Sequence, residues 1–195
     1  MEIRSYNQKD ERGWVRCRTL SFLDTAYFDN VLREKETYEN PSIELVAVSD
    51  DKIVGLIDIE YELEAGTICS REKDTGGMIW HIAVHPDYQR KKIGFKLLFE
   101  AEKIAKELGL VYLEAWTRDD EWVNKWYECN NFKNVQSYLH VFIEGSEELT
   151  GLLKCETGGL QPVQAFAHYV GKEKEKVKRI YKRVHECIRY DKQLN

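Results

Sequence analysis

Between Ile53 and Leu63 the apolar residues Ile53, Ile57, Ile59, Tyr61 and Leu63 fall on one side, while Asp58, Glu60 and Glu62 fall on the other. A period of two marks a half-buried strand. Ile43–Val48 precedes it across Ser49-Asp50-Asp51-Lys52, so the two form a hairpin. Ile3–Tyr6, Val111–Thr117, Gln136–Ile143 and Val163–Tyr169 also read as strands. Met78–Val84 is nearly continuous in apolar residues, the pattern of a strand buried on both faces.

Elsewhere the period lengthens to that of a helix. Asp10 caps Glu11–Phe22, where Trp14, Val15, Cys17 and Leu20 form a stripe. Tyr27, Phe28, Val31 and Leu32 predict a second helix within Asp24–Tyr38, closed by Asn40-Pro41. Leu97, Leu98, Ala101, Ile104, Ala105 and Leu108 define a helix from about Gly94, ended by Gly109. Asp119 or Asp120 caps another helix that stops near Asn130-Asn131, with Asn131 in the left-handed region. One or two helical turns fit Glu147–Lys154. Val177, Ile180, Tyr181, Val184, Cys187 and Ile188 predict a final amphipathic helix. The strand–helix–strand run from Met78 to Thr117 calls for a right-handed crossover between parallel strands. The chain is therefore of the α/β class.

With 195 residues, 43% hydrophobic and 32% charged, the chain can bury a core and is no disordered tail. The net charge of −5 speaks against general nucleic-acid binding. It averages two unlike parts: Lys172–Lys192 carries +5 and the remainder −10. No signal-peptide pattern or apolar run of membrane-spanning length is present. Five cysteines without a CxxC spacing disfavour a disulfide framework or a metal site, and a cytoplasmic setting is expected.

Within the acidic part, Arg90-Lys91-Lys92 stands between the end of a strand and the start of a helix. Free N–H groups and the positive dipole end of a helix attract anions there, and a glycine at position 94 permits close approach. A solvated basic loop fits the local pattern equally well.

Val84-His85-Pro86-Asp87-Tyr88-Gln89-Arg90-Lys91-Lys92-Ile93-Gly94 closely resembles the acetyl-CoA signature of the GNAT acetyltransferases. It departs from that signature at Lys92, where a glycine is usual, and at Phe95. Asn124-Lys125-Trp126-Tyr127-Glu128-Cys129-Asn130-Asn131-Phe132 is similar to a second segment of that family, and the order of elements agrees from about Ile3 to Ile143. The resemblance implies a central, mixed, mostly antiparallel sheet flanked by helices, with residues 1–170 as the catalytic domain. An insertion lies at about 145–162, and residues 171–195 form a C-terminal helical extension packed on the core or on a second subunit of a homodimer.

The resemblance also implies a cosubstrate, acetyl-CoA, and no metal. Backbone groups of Ile82, Ala83 and Val84 would pair with the pantetheine arm. Gln89, Arg90, Lys91, Lys92, Ile93, Gly94 and Phe95 would hold the pyrophosphate, and Asn124 would contact the arm. Tyr127 would be the general acid toward the departing thiolate, against the plainer reading of a packed helix tyrosine. For the base, Glu114 and His81 come first, ahead of Glu60 and Glu62. The acceptor would be a small-molecule or peptide amine, with neither nucleic acid nor membrane as partner. The rival class is a non-catalytic acyl-CoA sensor or scaffold.

Overall fold

The computed structural model describes residues 1–153 and 156–194. In chain order the elements are β1 (Glu2–Ser5), α1 (Glu11–Phe22), β2 (Ser42–Ser49), β3 (Lys52–Tyr61), β4 (Gly76–Val84), α2 (Ile93–Glu107) and β5 (Tyr112–Thr117). They continue with α3 (Glu121–Cys129), β6 (Lys133–Glu144), α4 (Gly145–Leu149), β7 (Gln164–Tyr169), α5 (Lys174–Ile180) and β8 (Arg183–Gln193). The eight strands form one sheet in the order β1-β2-β3-β4-β5-β8-β6-β7. Every pairing is antiparallel except β4 with β5, which the α2 crossover joins in parallel.

The helices divide the core between the two faces. Leu97, Leu98, Ala101 and Ala105 of α2 pack on Ile57, Ile59, Ile79, Leu113 and Ala115, and Tyr127 of α3 joins them. On the opposite face, Trp14 and Cys17 of α1 cover Val46, Leu56 and Ala83. Alternate strand residues serve the two faces, so Asp58, His81 and Glu114 share the α1 face. Asp50 and Asp51 take positive φ of 50° and 58° at the β2–β3 turn, and Asn131 takes 65° after α3. The short polar side chains of Asp and Asn tolerate this region better than most.

Two expectations are corrected. Residues 24–38 are turns and irregular chain, with no helix. Their backbone is held by distant side chains: Asp120 accepts from the Ala26 N–H with both oxygens at 3.0 Å, and Arg118 donates to the Ala26 carbonyl. Tyr27 packs against Phe22 and Arg118, whereas Phe28 is half exposed beneath Arg183.

The C-terminal extension is likewise not one helix. Among the described residues of this stretch, which leave out Asn195, the helix is the short α5, and Arg183–Gln193 is a strand of the domain's sheet. Val184, Cys187 and Ile188 continue the helical period of α5, yet they lie in a strand covered on both faces, whose alternation is blurred. Of the stretch 145–162, α4 occupies one turn and β7 follows at Gln164; Lys154 of the predicted turns lies outside the described residues. Among the described residues no helix is long and apolar enough to cross a membrane.

Candidate active site

β4 and β5 pair from Gly76↔Tyr112 to Ile79↔Ala115 and then part. On the other side β4 stays bonded to β3 through Ile57↔Ile82, Leu56↔Ala83 and Gly55↔Val84. Ile82, Ala83 and Val84 thus present a strand edge to the gap without a strand partner. The β3 register skips Trp80, passing from Ile59↔Ile79 to Asp58↔His81. This bulge puts Trp80 and His81 at the point of divergence.

Beyond Val84 the chain turns through Pro86–Tyr88 into the basic loop. The Gln89 side-chain amide ties the loop back to the Val84 carbonyl at 3.3 Å, and Lys91 Nζ donates to the Asp87 carbonyl at 3.2 Å. Arg90 and Lys92 both have positive φ, 59° and 61°. Lys92 therefore adopts the left-handed conformation that glycine takes most easily, and its side chain does not cap α2. The first helical bond runs from Lys96 N–H to the Lys92 carbonyl at 3.0 Å, leaving the N–H groups of Ile93, Gly94 and Phe95 at the open end. A methyl group at Gly94 would meet Trp126 and Val84 at an ordinary 3.6 Å, so packing alone does not require glycine there. Phe95 is exposed and stacks on Phe99.

The far wall is α3 and β8. Asn124 donates twice through Nδ2, to the carbonyls of Arg118 and Asp120 at 2.9 Å each. Its Oδ1 is buried without a partner. An unpaired buried acceptor is costly, and an amide N–H of a pantetheine arm would satisfy it. With the open strand edge and the helix N-terminus, this orphaned atom makes the residues present fit coenzyme A.

Tyr127 is 4% exposed, stacked on Tyr190 with centroids 5.3 Å apart and met edge-on by Phe132 and Trp126. Among the described residues its hydroxyl has no hydrogen-bond partner. Burial, and then the neighbouring Tyr190, push its pKa well above the usual phenol range.

On the α1 face the carboxylates are occupied. Glu114 is fully buried; it accepts from Ser70 N–H (2.9 Å), Ser70 Oγ (2.7 Å) and Trp116 Nε1 (2.8 Å), and pairs with Arg189 at 3.3 Å. Glu62 accepts the backbone N–H groups of Ile68, Cys69 and Gly76. Asp58 accepts from Trp14 and Tyr38 and pairs with Lys35 at 3.0 Å. Glu60 accepts from the Asn40 N–H and side-chain amide at 3.0 Å and from Trp80 Nε1 at 2.8 Å. Asp58 and Glu60 of β3 thus fasten the chain at residues 35–40, and Glu62 just beyond β3 fastens residues 68–76.

His81 is 5% exposed; its Nδ1 accepts from Arg18 Nε at 3.3 Å. Nε2 therefore carries the ring proton and donates to Glu36 Oε2 at 2.6 Å. Glu36, 46% exposed in its side chain, holds its carboxyl below the usual range, chiefly through that bond. Glu36, Arg18 and Trp80 were not singled out from sequence. Glu36 and Arg18 lie far from the loop motif in the chain, and a bulge at Trp80 leaves no mark on an apolar run.

A strand-edge gap, a basic helix N-terminus and an aromatic helix beside them define an acyl-CoA binding fold. Residues 10–154 match the model of the acetyltransferase (GNAT) family, and the chain belongs to that family. It is an acetyl-CoA-dependent acetyltransferase by class. No curated protein matches the sequence significantly. Among solved structures, a GNAT-family acetyltransferase from Streptococcus pneumoniae is 16% identical, with TM-score 0.62, over 100% of this chain and 99% of that one. The ribosomal-protein-S18-alanine N-acetyltransferase of Escherichia coli is 13% identical, with TM-score 0.58, over 100% and 94%. The PaiA N-acetyltransferase of Thermoplasma acidophilum, in complex with coenzyme A, is 20% identical, with TM-score 0.51, over 69% and 90%.

Proposed function

We propose that the protein moves the acetyl group of acetyl-CoA to a primary amine by direct attack within a ternary complex. The observation that carries this is the gap past Ile79 and Ala115, flanked by the helix N-terminus at Ile93–Phe95 and the orphaned Asn124 oxygen. That the similar PaiA structure holds coenzyme A supports the choice of cosubstrate.

Acetyl-CoA supplies an activated thioester carbonyl. Ile82, Ala83 and Val84 offer main-chain groups to the pantetheine arm, and an N–H on this edge polarises the carbonyl. Gln89 to Phe95 bind the pyrophosphate through backbone N–H groups, with Arg90, Lys91 and Lys92 supplying charge. The amine nitrogen forms the new N–C bond as the C–S bond breaks. Tyr127 donates to the sulfur as it takes up charge. A phenol kept above its ordinary value stays protonated at every working pH, so the donor is always loaded.

An alkylammonium of pKa ~10.4 is deprotonated only about one part in a few thousand at pH 7. We assign proton removal to the His81–Glu36 pair, where the exposed carboxylate has free lone pairs and the imidazole orients it. Glu114, with its oxygens already filled, fixes the floor of the site. A thiol-release assay over a panel of amines, together with titration of CoA, tests the reading. CoA binding with turnover of at least one amine is expected. Binding without any turnover favours the acyl-CoA sensor, and no binding defeats both readings.

A further inference from the structure

Trp80 and Trp116 are the first residues after the last paired positions, Ile79 and Ala115, one on each side of the gap. Both lie on the α1 face. Trp80 bonds Glu60, which shares that face with Asp58, and Trp116 packs with Met78 and Tyr112 beside Glu114. Each indole spends its only polar hydrogen on a buried carboxylate, at 2.8 Å in both cases. Neither ring has a donor left for a substrate, so each offers only its π face. Trp80 is 48% exposed, and Tyr138 lies 5.2 Å from Trp116, extending that wall.

The charge behind the rings is unbalanced. Glu114 has Arg189 as a counter-ion, whereas Glu60, 7% exposed, accepts only from neutral groups and makes no ion pair among the described residues. Burial works against its charge, yet the Asn40 and Trp80 hydrogen bonds hold its carboxyl below the usual range, so it is anionic at neutral pH. An indole whose N–H donates to an anion is richer in π density, and a carboxylate without a counter-ion attracts cations.

We infer that Trp80 and Trp116 form an aromatic subsite for an organic cation, and that the acceptor is an amine bearing a second positive charge a short alkyl chain from the reacting nitrogen. The inference rests on the acetyl-transfer reading of the same site. The subsite serves the second charge for a chemical reason. Stabilising the reacting ammonium would hold its proton in place and oppose attack, whereas a remote ammonium or guanidinium group keeps its charge throughout.

The test has two arms on the full chain. In the first, CoA-saturated protein is titrated calorimetrically with a bis(trimethylammonium)alkane, which cannot be acetylated, and with its uncharged di-tert-butyl isostere. The dication binds and the isostere does not. Trp80→Leu and Trp116→Leu each weaken the dication about 3- to 30-fold. CoA affinity reports folding of each variant; if Trp80→Leu loses it, Trp80→Phe, which keeps a ring but no N–H, replaces it. Equal binding of dication and isostere, no binding of the dication, or wild-type binding by both tryptophan variants overturns the inference.

In the second arm, kcat/KM is compared for diamines and monoamines of equal length. The wild type prefers the diamine, and the ratio falls in both variants; a ratio near one in the wild type overturns the inference. Dication binding without acetylation of any amine defeats the enzymatic reading and leaves the subsite standing. Acetylation of mono- and diamines alike, without dication binding, defeats the subsite alone.

Discussion

Replacing Tyr127 by Phe removes one oxygen from a site where that oxygen bonds to nothing described. The ring keeps its stack on Tyr190 at 5.3 Å and its edge contacts with Trp126 and Phe132. The hydroxyl makes no described hydrogen bond and is not one of the buried unpaired atoms, so its removal should change stability by no more than ~0.5 kcal/mol. For a chain of this size that is a shift in Tm of about 1–2 °C at most. Catalysis should respond far more strongly. Loss of a proton donor to the leaving thiolate lowers kcat about 10²-fold or more, equivalent to roughly 2.7 kcal/mol of transition-state stabilisation. Thermal unfolding followed by circular dichroism and CoA thiol release, measured on one preparation, read both effects. A variant that melts several degrees lower while keeping its kcat would show that the hydroxyl is structural, and unchanged kcat at unchanged stability would remove Tyr127 from the mechanism.

Lys92→Gly should stabilise the fold by up to ~1 kcal/mol, because relief of a left-handed side chain outweighs the entropy glycine adds to the unfolded chain. It should also weaken CoA binding at low salt, and calorimetry at two ionic strengths checks both the sign and the salt dependence. Asp58→Asn takes one of two carboxylates from the buried Lys35 ammonium, which keeps Glu44 at 2.8 Å, and should cost about 1–3 kcal/mol by urea denaturation. His140 is buried beside Arg118, which depresses its pKa to about 4, first through desolvation and then through that cation. A depressed histidine gives stability that is whole above its unfolded value of ~6.5 and is lost as pH falls toward 4. The Tm should therefore decline over that window, and His140→Gln should flatten the decline. Glu186, lowered to about 2 chiefly by its bonds to Lys174 and Ser137, gives stability that is lost at lower pH, as pH falls from ~4.5 to 2.

The elements around the strand-edge gap were legible because their signals are local. The β3 alternation, the apolar run of β4, the stripe of α2 and the glycine after it all survive without knowledge of neighbours. Asn131 could be placed in the left-handed region for the same reason. What escaped is set by tertiary contacts. Residues 24–38 carry helix-spaced aromatics but are shaped by Asp120, Arg118 and Asp58, far away in sequence. β8 keeps the phase of α5 by accident of spacing, and its two-sided burial removes the alternation that would have exposed it as a strand. In the site, the loop motif pointed to Gln89–Phe95 from sequence alone. The loops that Glu60 and Glu62 fasten, by contrast, leave no mark near those residues in the sequence.

The placement of β8 also bears on how the molecule folds. It is the last strand in chain order, yet it lies between β5 and β6 and supplies all the strand pairing that joins β1–β5 to the β6–β7 hairpin. Until it docks, the two parts of the sheet are separate bodies, each with an open edge. Closing them needs contacts of large sequence separation, such as Ile188 with Thr117, which are slow to form. Tyr190, the stacking partner of Tyr127, arrives with that same strand. The expected intermediate is therefore a half-sheet with α2 in place and Tyr127 without its stacking partner, open at the edge of β5 to pairing with the wrong chain.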